Sequence, residues 1–201
     1  MNIDTLDQLR ALYGAPKERS VKKQLSALDP HCRRFIALSP FITVASCNAA
    51  GAMDSSPRGG APGFVKVIGD RTLLIPDAPG NNRLDTLENV IATGKVGLLF
   101  LIPGVDETLR INGAARLSRL EAHLALFAEE KHRPKVVIAV DVAEAYLHCA
   151  KALMRSHLWN ASAQVPRSVL PTMGQMLNSQ IGSSAPAETH EEMLARYAAD
   201  L

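Results

Sequence analysis

The sequence predicts a mainly β chain of the α+β class, folded as a six-stranded antiparallel barrel with small peripheral helices. Three observations predict it. Six segments are rich in β-forming residues and are separated by turn residues. The helical stretches between them are short. No G-x-G-x-x-G stands between a strand and a helix, as a doubly wound dinucleotide-binding sheet requires. At 201 residues the chain is long enough for one substantial core.

Each element has a local reason. Residues 4–14 place Leu6, Leu9 and Leu12 on one helical stripe, and Ala15-Pro16 ends it. A second helical stretch is expected over 20–28. Asp29-Pro30 punctuates the chain, and Phe35 to Leu38 reads as a short turn. Phe41 to Cys47 is the first strand. Met53 to Arg58, continued after Gly59-Gly60-Ala61-Pro62-Gly63 by Phe64 to Ile68, reads as one interrupted second strand. Gly69-Asp70-Arg71 turns into Thr72 to Ile75. Pro76 to Gly80 is a loop, because its prolines fix the backbone and its glycine frees it again.

A helix then runs from about Arg83 to Ala92. Asn82 is its expected N-cap, and Leu84, Leu87 and Ile91 its buried face. Lys95 to Ile102 is a nearly continuous apolar run, read as a strand buried on both faces. Beyond Pro103-Gly104, Leu109, Ile111 and Leu117 point one way and Arg110, Asn112 and Arg116 the other, a half-buried strand. Ser118 to Glu121 has the spacing of a capping box opening a helix to about Glu130. Lys135 to Val142 is the last strong strand, and Ala143 to Met154 reads as helical. The polar stretch after Trp159 ends in a helix over 188–197.

Bulk properties exclude several classes. Twenty-two basic residues against 20 acidic ones give a net charge of +2, and no Lys/Arg run exceeds two residues, so a nucleic-acid footprint is not expected. No apolar window is long enough for a membrane span, and the N-terminus lacks a basic start followed by an apolar run. Three cysteines, Cys32, Cys47 and Cys149, are odd in number and far apart. They argue against a disulfide framework and for a reducing cytoplasm. With no C-x-x-C and no H-x-x-x-H, no metal site is expected.

The residues that could carry chemistry lie between 54 and 116. A phosphate monoester is held by guanidinium groups, by free backbone N–H groups and by a helix N-terminus. Gly80-Asn81-Asn82-Arg83 offers all three within four residues. The alternative is that Asn82 is only a cap and Arg83 only a solvated first-turn residue. Arg58 precedes two glycines that let a ligand approach the backbone, or it is a surface arginine in a loop. Arg110 shares a strand face with Asn112 and Arg116, and that face meets either solvent or a site. Trp159, the one tryptophan, either stacks over an aromatic ring, caps a subunit interface or belongs to the peripheral core. No nucleophile–base pair is defensible from spacing, so no catalytic residue is assigned.

The runs SPRGGAPGFVKV, RTLLIPDAPGNNRLDTLENVI, VGLLFLIPG and ETLRINGAARL, with HCAKALMRSHLW further on, resemble the pyridoxamine 5′-phosphate oxidase-related family. More narrowly they are similar to its uncharacterised FMN-binding branch, over about residues 30 to 160. The resemblance implies a split barrel over 35–160, a helical segment over 1–34, and a tail over 161–201 packing on the barrel or the partner subunit. It implies a homodimer with FMN in each of two clefts at the subunit interface, acting as an oxidoreductase on a small-molecule substrate. A flavin- or haem-binding carrier or sensor without turnover is the alternative, with His148 or His157 as axial ligand if haem is bound. By resemblance the strand carrying Arg58, Phe64 and Val65 lies along the flavin. Ile75, Pro76 and Asp77 pass its ring or ribityl chain, Asn82 and Arg83 hold the phosphate, and Thr108 and Arg110 reach the cofactor from their strand. The chain departs from the family in its expanded PRGGAPGFVKV segment. It also has Asn82-Arg83-Leu84 where Ser-Arg-Lys is common, and lacks the family's C-terminal Trp-x-Pro. Pyridoxamine phosphate oxidation itself is therefore not expected.

Overall fold

The computed structural model describes residues 2–199. Two short helices, α1 (Leu6–Tyr13) and α2 (Glu18–Lys22), bury none of their side chains. The helix expected over 20–28 shrinks to α2, because Leu25 bridges to Ala145 through reciprocal backbone hydrogen bonds of 2.9 and 2.8 Å and leaves the chain extended. The turn expected at 35–38 is the end of a nine-residue helix, α3 (Pro30–Leu38). Its start is well specified: the Asp29 carboxylate accepts from the Cys32 N–H at 2.7 Å, and Pro30 occupies the first helical position, where no N–H is needed.

Seven strands follow. They are β1 (Phe41–Cys47), β2 (Met53–Gly59), β3 (Lys66–Ile68), β4 (Thr72–Pro76), β5 (Lys95–Ile102), β6 (Val105–Ser118) and β7 (Val137–His148). They form one antiparallel sheet in the order β2-β1-β5-β6-β7-β4-β3. The expected second strand is two strands. Its halves pair with β1 and with β4, at opposite edges of the sheet.

That split dictates curvature. Laid flat, a sheet of seven strands would hold its edges roughly 29 Å apart. The chain from Gly59 to Lys66 reaches at most about 25 Å when fully extended, and a 2.9 Å bond from Phe64 N–H to the Ala61 carbonyl shortens it further. The sheet therefore curls into a barrel that stays open along the seam between β2 and β3. Pro57 is tolerated in β2 because that strand is an edge.

Strand alternation fills the barrel. Ile42, Val44, Leu73, Ile75, Leu98, Phe100, Leu109, Ile111, Ile138 and Val140 point inward and are buried. α3 closes the barrel with Cys32, Phe35 and Ile36, and α4 (Asp85–Thr93) packs Leu87 and Val90 against the same core. A second cluster, Leu74, Val137 and Ala139 with Leu124 and Phe127, sits on the opposite face of β4 and β7. It is covered by α5 (Glu121–Leu124) and one 3₁₀ turn over 125–127, which replace the longer helix expected to Glu130. β5 is buried on one face only, through Val96, Leu98 and Phe100.

β7 continues to His148, where a helix was expected from Ala143. Pairing with β6, Arg110 opposite Tyr146 and Thr108 opposite His148, overrides the helical preference of Ala-Glu-Ala-Tyr-Leu. Helix α6 (Lys151–Ser156) is correspondingly short. The indole N–H of Trp159 donates to the Val105 carbonyl at 2.9 Å, fastening the following segment to the β5–β6 hairpin. Helices α7 (Met173–Ile181) and α8 (His190–Tyr197) complete the described chain, each opened by a capping box, at Thr172 and Thr189.

Candidate functional site

The open seam is a cleft of about 1080 Å³. Its walls come from the end of β2, from Phe64, from the stretch running from Pro76 into α4, and from residues 131–136 ahead of β7. Asp54, Ser56 and Arg58 share one half-buried face of β2 by strand alternation. Asp77 follows the last residue of β4. Its N–H donates to the Val136 carbonyl at 3.1 Å, joining two walls of the cleft.

The loop into α4 is strained. Asn82 and Leu84 both adopt left-handed backbone, with φ of 58° and 61°. The Asn81 side-chain oxygen accepts from the Arg83 N–H at 3.0 Å, which shapes the turn. α4 therefore begins at Asp85 with Leu84 as its N-cap, where Asn82 was expected, and no side chain caps its first N–H groups. The shift also rotates the helix. Its buried face is Thr86, Leu87, Asn89 and Val90, while Leu84 and Ile91, expected to be buried, are exposed.

Thr86 and Asn89 are buried because they are partnered. The Thr86 hydroxyl donates to Asp54 at 2.7 Å, and Asn89 Nδ2 donates to Ser46 Oγ at 3.0 Å. Ser46 and Ser56 hydroxyls also donate to Asp54, at 3.3 and 3.0 Å. Burial alone would raise the Asp54 pKa. The hydroxyls of Thr86, Ser56 and Ser46, with Arg58 nearby, outweigh it and hold the carboxyl below its ordinary range.

The cleft is cationic. Arg58, Arg83, Lys131, Arg133, Lys135 and His132 line it, against the carboxylates of Asp77 and Asp85. Asp85 is held by Arg83 at 2.5 Å, and Arg133 reaches Glu121 outside the cleft, also at 2.5 Å. Lys131 Nζ and His132 Nε2 donate to the carbonyls of Ala198 and Ala199 at 3.3 and 3.1 Å, so the end of α8 is pinned to the cleft wall. Burial raises the Asp77 pKa, and the positive charges of Arg58 and Lys135 offset only part of that rise.

Six of the ten sequence-derived site residues line this one cleft: Arg58, Phe64, Pro76, Asp77, Asn82 and Arg83. Val65 and Ile75 are packed in the core beside it. Thr108 and Arg110 lie elsewhere in the chain, on β6. Thr108 is buried, and the Arg110 guanidinium stands 5.2 Å from the Tyr146 ring centroid, with Lys23 Nζ 5.4 Å from the same ring. Neither His148 nor His157 lines the cleft; His132 does. The segment Lys131-His132-Arg133-Pro134-Lys135 was missed as a site wall. Its sequence signal was the densest clustering of basic residues in the chain. Among the described residues no group of three or more His, Cys, Asp or Glu side chains converges as a metal-ligand set. No helix there is long and apolar enough to cross a membrane.

Comparison with solved structures agrees with this architecture. HupZ from Group A Streptococcus is 18% identical with a TM-score of 0.50, covering 59% of this chain and 92% of its own. A variant of the same protein gives 18% identity and a TM-score of 0.51, covering 60% of this chain and 99% of its own. At that identity the likeness is one of fold. No curated protein matches the chain significantly. The family model described as pyridoxamine 5′-phosphate oxidase matches residues 28–149, which run from the approach to α3 to the end of β7 and include every strand of the barrel and all of the cleft walls. With more than half its length matched, the chain belongs to the pyridoxamine 5′-phosphate oxidase family.

Proposed function

We propose that the seam cleft binds flavin mononucleotide and that the protein is an FMN-dependent oxidoreductase acting on a small-molecule substrate by hydride transfer through the flavin. The observation that carries this reading is the meeting of Arg58 and Arg83, from separate elements, with Arg133, Lys135 and the uncapped first turn of α4 in one cleft. A phosphate monoester is close to a dianion at neutral pH. Guanidinium groups and open helix N–H groups are the donors that neutralise it. Pro57, Phe64, Pro76 and Val136 supply apolar walls for a flat ring.

When bound, the flavin supplies the electron-transfer chemistry. The chain's own residues then have binding tasks. Arg83 and the N–H groups of α4 hold the phosphate, Arg58 adds charge from β2, and Phe64 and Pro76 confine the ring. Asp54 keeps α4 docked on β2, so the phosphate end does not drift. That division of labour requires no nucleophile–base pair in the chain.

We further propose a homodimer in which Thr108 and Arg110 complete the cleft of a second copy. Their absence from their own cleft motivates this arrangement. A cytoplasmic setting fits the three free cysteines. The test is titration of the purified protein with FMN, followed by flavin fluorescence, and then assay with NADH and NADPH. Saturable binding with turnover supports the oxidoreductase. Binding without turnover supports a carrier or sensor. No uptake of FMN defeats both.

A further inference from the structure

Asp77 is the odd charge in the cleft. Among the described residues, five cations and a histidine line that space, together with two carboxylates. Asp85 is spoken for by Arg83. Asp77 is half-buried, and its side chain makes no hydrogen bond or ion pair with any described residue. Its backbone is fixed twice: Pro76 precedes it at the end of β4, and its own N–H is tied to Val136. A carboxylate left unpartnered while cations stand nearby is not a device for folding. Burial disfavours its charge, and ordinary selection for stability would replace it.

Its neighbours say what it could meet. Pro76 precedes it in the chain and the Val136 carbonyl accepts its N–H, and these two share the cleft with the apolar side chains of Phe64 and Pro57. The phosphate donors, Arg83 and the first turn of α4, lie beyond residues 78–82 from it in sequence. A ligand with an anion at one end and a flat heterocycle at the other would therefore set its ring against Asp77. An ionised carboxylate only accepts hydrogen bonds.

We propose that Asp77, in its ionised form, accepts a hydrogen bond from a ring N–H of the heterocycle bound in the cleft, and so sets which rings are accepted. This inference rests on the flavin reading and names the residue that recognises the ring. The charged groups facing Asp77 are Arg58 from β2 and Lys135 from the segment before β7. His132, Arg133 and Lys131 from that same segment, and Arg83 and Asp85 at the start of α4, share the cleft. Burial lifts the Asp77 pKa despite the two nearest cations, so acid removes the acceptor earlier than it would at an exposed aspartate. The same rise means that ionised Asp77 costs the ligand-free protein stability at neutral pH. That cost vanishes below the ordinary carboxylate range, where the group is protonated in both folded and unfolded states.

The experiment measures binding of FMN, lumiflavin and 3-methyllumiflavin to the wild-type chain and to Asp77→Asn and Asp77→Leu, between pH 4 and 8, with the melting temperature of each ligand-free protein alongside. Lumiflavin has the ring imide N–H but no phosphate, so phosphate titration is absent. The methylated ring lacks the N–H. The wild type should bind lumiflavin roughly tenfold more tightly than the methylated ring at pH 7, the difference expected of one charge-assisted hydrogen bond. That preference should fall as the pH drops. Asp77→Leu should show no preference and no such pH dependence. Asp77→Asn should melt at or above the wild-type temperature at pH 7 yet bind more weakly. If FMN binds but the three proteins share one preference and one pH profile, the inference is overturned and the flavin reading stands. If the wild type binds none of the three ligands, both are overturned.

Discussion

The Thr86 hydroxyl donates to the Asp54 carboxylate at 2.7 Å, and this bond joins the helix at the mouth of the cleft to the edge strand that forms its wall. Thr86 and Ser56, which also donates to Asp54, both line the cleft. The network thus links fold to site: it fixes the angle between β2, which carries Arg58, and the first turn of α4, which follows directly on the loop carrying Arg83.

Thr86→Val keeps the shape and removes the donor. It should destabilise the protein by about 1–2 kcal/mol, since one bond to a charged, partly buried acceptor is lost. Asp54→Asn gives the pH test. Hydrogen bonding holds the folded Asp54 pKa below its ordinary value, so its stabilisation is fully present above the usual carboxylate range and disappears as the pH falls through the lowered value. The gap in melting temperature between wild type and Asp54→Asn should close in acid. A gap that stays constant contradicts the network.

Leu84 is a non-glycine residue at φ 61°, about half exposed, at the cap of α4. Left-handed backbone costs an ordinary residue about 1 kcal/mol or more, and glycine escapes it. Leu84→Gly should therefore leave stability unchanged or raise it, although a large apolar side chain is deleted. Leu84→Val should lower it, because β-branched side chains tolerate this region worst. Urea unfolding of the two variants decides the matter. Equal losses would show that the left-handed turn is not a source of strain.

Cys32 is buried in α3 beneath the barrel, and its thiol is pushed up to about 12, first by burial and then by its contact with Asp29. Almost no thiolate then exists near neutrality, and the thiolate is the reactive form. Iodoacetamide should label exposed Cys149 in the native protein and reach Cys32 only after denaturation, as read by peptide mass spectrometry. Labelling of both at one rate would contradict the packing of α3.

The strands were legible where β-branched runs met turn residues, as in Phe41–Cys47 and Thr72–Pro76. What stayed hidden were pairings chosen at long range. The turn at 69–71 ties Lys66–Ile68 to β4 locally, but nothing local separates it from Met53–Gly59, which pairs with β1 at the far edge, and that separation makes the seam. Local chemistry favoured Asn82 as a cap, yet two left-handed residues moved the helix start to Asp85 and exposed Leu84 and Ile91. Ala143 to Leu147 looked helical until β6 claimed it. Within the cleft, Arg58 and Arg83 were readable from their glycine and asparagine neighbours. Arg133 and Lys135 carried only their basic clustering as a signal, because only the fold brings residues 131–136 into one cleft with the end of β2.

The central claim is that cations from separate elements share one phosphate site, and FMN titration of the wild type beside Arg83→Ala and Arg58→Ala tests it most directly. Each variant should weaken FMN by about 1.5–3 kcal/mol, roughly ten- to a hundredfold in Kd, while riboflavin, which lacks the phosphate, should lose little affinity. FMN and riboflavin weakened equally, or FMN unaffected by either substitution, would contradict it.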